Sequence, residues 1–87
     1  MKIYKEDGIV ESYSPDKLKL GVRAACLAVH TPLGAAERFA KEVEGKVSGS
    51  VKNSSAITLR DLKRRTREIL SLYHPDAAEV FALEEEF

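Results

Sequence analysis

Apolar residues first come in short β-prone runs and then recur every three or four positions, so the chain reads as a hairpin followed by helices. Ile3-Tyr4-Lys5 and Ile9-Val10 flank Asp7-Gly8. Asp-Gly favours a tight reversal because the turn positions need positive φ. Two registers are open: a two-residue turn pairs Lys5 with Val10, and a three-residue turn with a glycine bulge pairs Lys5 with Ile9. Neither gives a wholly apolar face. The choice decides which hairpin side chains face a ligand.

After Tyr13 the pattern becomes helical. Ser14 suits an N-cap, Pro15 the first helical position, and Asp16 the positive end of the helix dipole. Leu18, Val22, Ala25 and Val29 then form one face of a helix running from Pro15 to about Val29, with Gly21 and the alanines admitting a close neighbour. His30-Thr31-Pro32 breaks it, and Thr31 is the expected cap of a second helix. Ala36, Phe39, Ala40, Val43 and Val47 carry that helix to Ser48-Gly49-Ser50, with Gly34 and Gly45 each weakening it by roughly 1 kcal/mol relative to alanine. Residues 48–55 are polar and aperiodic, which predicts a loop.

Ala56-Ile57 is expected as a short third strand. Thr58 with Asp61 gives a partial capping box, and Leu59, Leu62, Thr66, Ile69 and Tyr73 mark a third helix face. His74-Pro75-Asp76 is the last break, before a closing helix with Ala77, Val80, Phe81 and Leu83 on its inner side. The order of elements predicts an α+β fold, not an alternating parallel-sheet architecture.

Eighty-seven residues fit one domain, residues 1–87, with a modest core and no room for two lobes around a deep cleft, which argues against a multi-step enzyme. The 14 basic and 14 acidic residues cancel, so no global field favours nucleic acid or an acidic membrane. Locally, residues 60–67 hold five positive charges against one negative, while Glu84-Glu85-Glu86 lie near the C-terminus. Cys26, the only cysteine, precludes an internal disulfide and sits among Ala24, Ala25 and Leu27, where a buried, inert thiol is favoured over a nucleophile. His30 and His74 flank helix breaks without carboxylates or cysteines at ligand spacing, so helix-terminal roles are expected and no structural metal. No catalytic constellation stands out, no apolar run is long enough to span a membrane, and a cytoplasmic location is expected.

Lys5-Glu6-Asp7-Gly8, the run from Val10 to Tyr13, the helix start Ser14-Pro15-Asp16-Lys17-Leu18, and Ala56-Ile57-Thr58 followed by Asp61-Leu62 together resemble the ATP-cone, a regulatory module of ribonucleotide reductases and of the repressor of their genes. The resemblance covers essentially the whole chain. It implies a helical bundle capped by a small β-sheet, non-enzymatic, binding ATP or dATP, with Mg, between hairpin and helices. It carries the nucleotide contacts to Lys5, Glu11, Ser14 and Lys17, and also to Thr58 and Lys63. Lysines there neutralise phosphates, the helix start offers N–H groups to an anion, and Glu11 accepts from adenine or ribose. Regulation of this kind requires a partner protein or self-association, because a ligand acts only by favouring one state over another. Neither a reductase body nor a zinc ribbon is present, which leaves a stand-alone cone and an excised fragment both open.

Two departures from the family pattern matter. Glu6 stands where the family has arginine, and a carboxylate beside a triphosphate costs about 1 kcal/mol. The last helix carries Phe81 and then Glu84-Glu85-Glu86 in place of Tyr-x-x-Tyr-Arg. The alternative is therefore a degenerate cone that has lost its nucleotide and serves as an adaptor for protein or, less favoured, RNA. The basic stripe Arg60, Lys63, Arg64 and Arg67 is the candidate anion or RNA surface. With few aromatics interleaved and zero net charge, a solvated face is the favoured reading, and nucleic acid is not an expected partner. An antiparallel return of the last helix would bring Glu84 to Glu86 toward that stripe, each exposed pair contributing at most about 1 kcal/mol.

Overall fold

The structure, a computed structural model, describes residues 1–83. The elements are β1 (Lys2–Tyr4), β2 (Val10–Ser12), α1 (Pro15–Ala28), α2 (Leu33–Val51), β3 (Ala56–Thr58), α3 (Leu59–Tyr73) and α4 (Pro75–Leu83). This is the expected α+β fold, a hairpin and a third strand on a four-helix bundle. The proposed return of Glu84, Glu85 and Glu86 lies outside the described residues, as does the side chain of Leu83.

The sheet order is β2-β1-β3, with β2 antiparallel and β3 parallel to the central β1. Ile3 faces Glu11, Tyr4 faces Val10, and Lys5 N–H donates to the Ile9 carbonyl at 3.0 Å. The hairpin therefore uses the three-residue turn, Glu6-Asp7-Gly8. Gly8 takes φ +84° and returns its N–H to the Lys5 carbonyl, while Asp7 Oδ1 accepts from Ile9 N–H at 3.0 Å. Glycine holds the left-handed position without a Cβ clash.

Ser14 caps α1 by accepting from Lys17 N–H, and Thr58 caps α3 by accepting from Asp61 N–H at 3.1 Å. At the other end of α1, His30 takes φ +65°. Its N–H reaches the Leu27 carbonyl and Thr31 N–H reaches that of Cys26, the paired bonds of a Schellman cap built on histidine instead of glycine. Thr31 does not cap α2 as its sequence position predicts. Pro32 stands at the N-cap without a side-chain bond, and Thr31 Oγ1 instead meets His74 Nε2 at 2.7 Å.

The predicted loop at 48–55 also needs correction, since α2 continues to Val51. Val51 extends the Val43–Val47 stripe by one helical step and is buried. Arg65 Nη1 then covers the Ser50 carbonyl at 3.3 Å. Burial of a valine at i+4 outweighs the low propensity of a Ser-Gly-Ser segment.

The core joins Leu18, Val22, Ala25 and Cys26 of α1 to Ala36, Ala40, Val43 and Val47 of α2, Leu62 and Leu70 of α3, Ala77, Ala78 and Phe81 of α4, and Ile3 of the sheet. Each large aliphatic residue buried there is worth roughly 1.5–3 kcal/mol. Thr66, buried among them, satisfies its hydroxyl on the Leu62 carbonyl at 2.8 Å. Burial pushes the Cys26 thiol pKa up, which suits a packing role. The neighbour of Gly21 is Phe81, 3.6 Å from where a Cβ would stand.

Candidate functional site

Residues opposite one another in a sheet share a face, so Ile3, Glu11 and Ile57 all point at the helices, and Lys5 continues that row two residues beyond Ile3. In β2 the usual polarity is inverted. Val10 is 45% exposed, whereas Glu11 faces inward and is only half-exposed. A carboxylate on the inner face with a valine outside breaks the pattern that a purely structural strand would follow.

Lys5 Nζ lies 3.0 Å from Glu11 Oε1, and Lys17 Nζ, from the first turn of α1, lies 3.7 Å from Glu11 Oε2. The hydrogen bond from Lys5, reinforced by the charges of both lysines, holds the Glu11 carboxyl pKa below its ordinary value against a weaker opposing effect of burial. One carboxylate thus gathers two ammonium groups from different elements. Nearby, Tyr13 donates or accepts with Ser48 Oγ at 2.8 Å, fixing the end of β2 against α2, and burial pushes its hydroxyl pKa up.

On the other side of β1, the parallel pairing with β3 sets the start of α3 beside the hairpin turn. An open cleft of about 440 Å³ is lined there by Lys5, Glu6, Asp7, Leu59, Arg60 and Lys63. Arg60 Nη2 comes within 4.0 Å of Glu6 Oε1 across its mouth. Glu6 thus faces an arginine from α3, a partner not evident from its sequence neighbours. Among the described residues no three His, Cys, Asp or Glu side chains are grouped to hold a metal ion.

The predicted site residues divide into two groups. Lys5, Glu11 and Lys17 converge, and Lys63 joins Lys5 across the cleft. Ser14 and Thr58 spend their hydroxyls on helix caps, fixing the starts of the helices that carry Lys17 and Lys63. Of the basic stripe, Arg64 lies elsewhere, bridging Asp61 at 3.6 Å and Glu68 at 3.2 Å. Arg67 lines a separate cleft with Lys63, Arg64 and Phe81. Leu59 and Asp7, both lining the first cleft, had local structural roles in the sequence but were not among the expected site residues. The Asp7-Gly8 turn and the helix start after Thr58 were the available signals.

This geometry, a three-stranded cap set over helix starts with paired lysines beneath it, agrees with an independent comparison. The family model described as the ATP cone domain matches residues 1–83. The chain belongs to the ATP-cone family. ATP-cones are nucleotide-binding regulatory domains, not catalytic ones. No curated protein matches this cone. None of its described helices is long and apolar enough to cross a membrane.

Proposed function

We propose that this cone, acting over residues 1–87 as one domain, binds ATP or dATP with Mg between the hairpin and the helices, and passes occupancy to a partner protein or a second copy of the chain in the cytoplasm. The observation that carries this reading is the inward-facing Glu11 holding Lys5 and Lys17. A triphosphate offers those ammonium groups more negative charge than one carboxylate does. As they turn to phosphate, Glu11 is released to accept from ribose or adenine, and Lys63 reaches the phosphates from α3. Ser14 and Thr58 support these contacts by holding both helix starts. The exchange supplies differential contacts between empty and occupied states, which any regulatory ligand must have. The domain turns over no substrate in this scheme.

A second reading, an adaptor without nucleotide, is favoured by one observation: Glu6 already pairs with Arg60, and Lys5 and Lys17 already share the Glu11 carboxylate. Thermal unfolding with millimolar Mg-ATP, dATP or GTP separates the two readings. A ligand at about a hundredfold its Kd adds roughly 2.7 kcal/mol, which raises the midpoint of a domain this size by about 10 °C or more. The nucleotide reading expects that rise with ATP or dATP and its loss in Lys5→Glu. No rise with any nucleotide leaves the adaptor.

A further inference from the structure

α2 folds back along α1 after the turn at residues 29–32, and the outer seam between the two helices is left open. It forms a groove of about 650 Å³, with Leu20 on the α1 wall and the small residues Ala40 and Gly45 on the α2 side. Leu20 is 56% exposed, and a Cβ placed at Gly45 would meet nothing within 4 Å. Leu27 and Leu33 continue the two walls one helical turn past Arg23 and Glu37, and both are exposed. Three of the seven large apolar side chains exposed among the described residues thus share this face. Scattered singly they would be ordinary, but gathered along one seam they mark a surface that meets another protein.

The charges around the groove identify the occupant. The α1 wall carries Asp16, Lys19 and Arg23, with one positive charge in excess, and the α2 wall carries Glu37, Lys41 and Glu44, with one negative charge in excess. Within one chain these groups interact weakly. Lys19 lies 3.4 Å from Asp16 on its own helix, Arg23 reaches Glu37 only at 3.9 Å, and Lys41 and Glu44 make no ion pair among the described residues. We infer that the groove receives the same groove of a second copy of this chain, in a symmetric dimer whose two-fold axis runs along the seam. That axis sets α1 of each copy on α2 of the other, so a positive wall meets a negative one twice. It also preserves height along the seam. Arg23 of each copy then comes to Glu37 of the other, Leu27 to Leu33, and Leu20 toward the space left by Ala40 and Gly45. A two-fold axis across the seam would instead lay the two positive walls on each other. The zero net charge of the chain adds no general repulsion between copies. None of Lys5, Glu11 or Lys17 lines the groove, so the dimer needs no bound nucleotide.

Sedimentation velocity of the full chain without nucleotide, from about 10 μM to about 1 mM, spans the affinities expected of a small interface. A monomer–dimer equilibrium is expected. Leu20→Lys and Gly45→Gln should each weaken it about tenfold or more, as the loss of a central contact implies. Neither should lower the melting midpoint of the dilute monomer, because both positions are exposed there. Arg23→Glu and Glu37→Arg should each dimerise less well alone, and an equimolar mixture of the two should recover the dimer, since opposite charges then meet at both contacts. A monomer throughout the range overturns the inference and leaves this face to a different protein. A dimer that tolerates both Leu20→Lys and Gly45→Gln, or one that the mixed charge variants fail to recover, overturns it as well. A dimer that behaves as expected while no nucleotide raises the midpoint supports it and sinks only the nucleotide reading.

Discussion

The two ends of the bundle are held together by different physics. At the sheet end, β1 and the starts of α1 and α3 are tied by exposed ion pairs: Glu11 with Lys5 and Lys17, and Glu6 with Arg60. At the far ends of α1 and α3, the two helix turns are tied by packing and one part-buried hydrogen bond. There Thr31 meets His74, and the Phe39 ring stands 5.6 Å from the His74 ring and 6.4 Å, edge-on, from that of Tyr73. Exposed pairs contribute little and exchange readily with ions. Aromatic packing is worth more and has no competitor in water. A ligand can therefore rearrange the sheet end while the turn end stays fixed.

The largest test of that contrast is Phe39→Ala, which removes the ring that α2 lays against both Tyr73 and His74. A half-buried aromatic should cost about 2–3 kcal/mol of stability, read from chemical denaturation. On the proposed nucleotide reading, the rise in midpoint with ATP or dATP should keep its size in this variant. If it disappears with the stability, the two ends are not independent.

Each end also holds one residue in left-handed backbone, Gly8 in the hairpin turn and His30 in the α1 cap. Gly8→Ala should destabilise by about 1–2 kcal/mol, since a Cβ is disfavoured at φ +84° although no neighbouring atom obstructs it. His30→Gly should stabilise by about 0.5–1 kcal/mol, the relief of backbone strain being partly offset by a more flexible unfolded chain. Opposite signs are expected from thermal melts of the two variants. A loss of stability in His30→Gly would mean that the imidazole contributes more than its backbone costs.

Most of the fold was legible from residues close in sequence. Asp7-Gly8, Ser14-Pro15, His30 to Pro32, Thr58 and Pro75 each act locally, and the structure places a boundary at or beside every one. The misses needed partners distant in sequence. Thr31 gave up its expected cap for His74, 43 residues away. Val51 held residues 48–51 in α2 through burial, and Leu70 is buried on α3 although Ile69 and Tyr73 carried the apparent face. At the candidate site, the inversion of Val10 and Glu11 is what left both hairpin registers without an apolar face. The approach of Arg60 and Lys63 to Lys5 was not legible, because it follows from β3 pairing with β1 in parallel.

The smallest expected effect isolates the sheet end by its pH dependence. The Glu11 pKa is depressed in the folded protein, chiefly by its hydrogen bond from Lys5. A carboxyl that binds its proton less readily when folded stabilises the fold wherever it is ionised. That contribution is fully present above the ordinary carboxyl value of 4.5 and is lost as pH falls through the lower folded value. Glu11→Gln removes the titration and the ion pairs together. The variant should melt slightly below the wild type at pH 7, and the gap should close as pH falls through the lowered folded value of Glu11, because protonated Glu11 resembles glutamine. Salt should close it too, as it screens exposed charges. A gap that persists at low pH would mean that Glu11 acts at this end as a packing residue, and the lysines would then have no exchangeable carboxylate to leave for a phosphate.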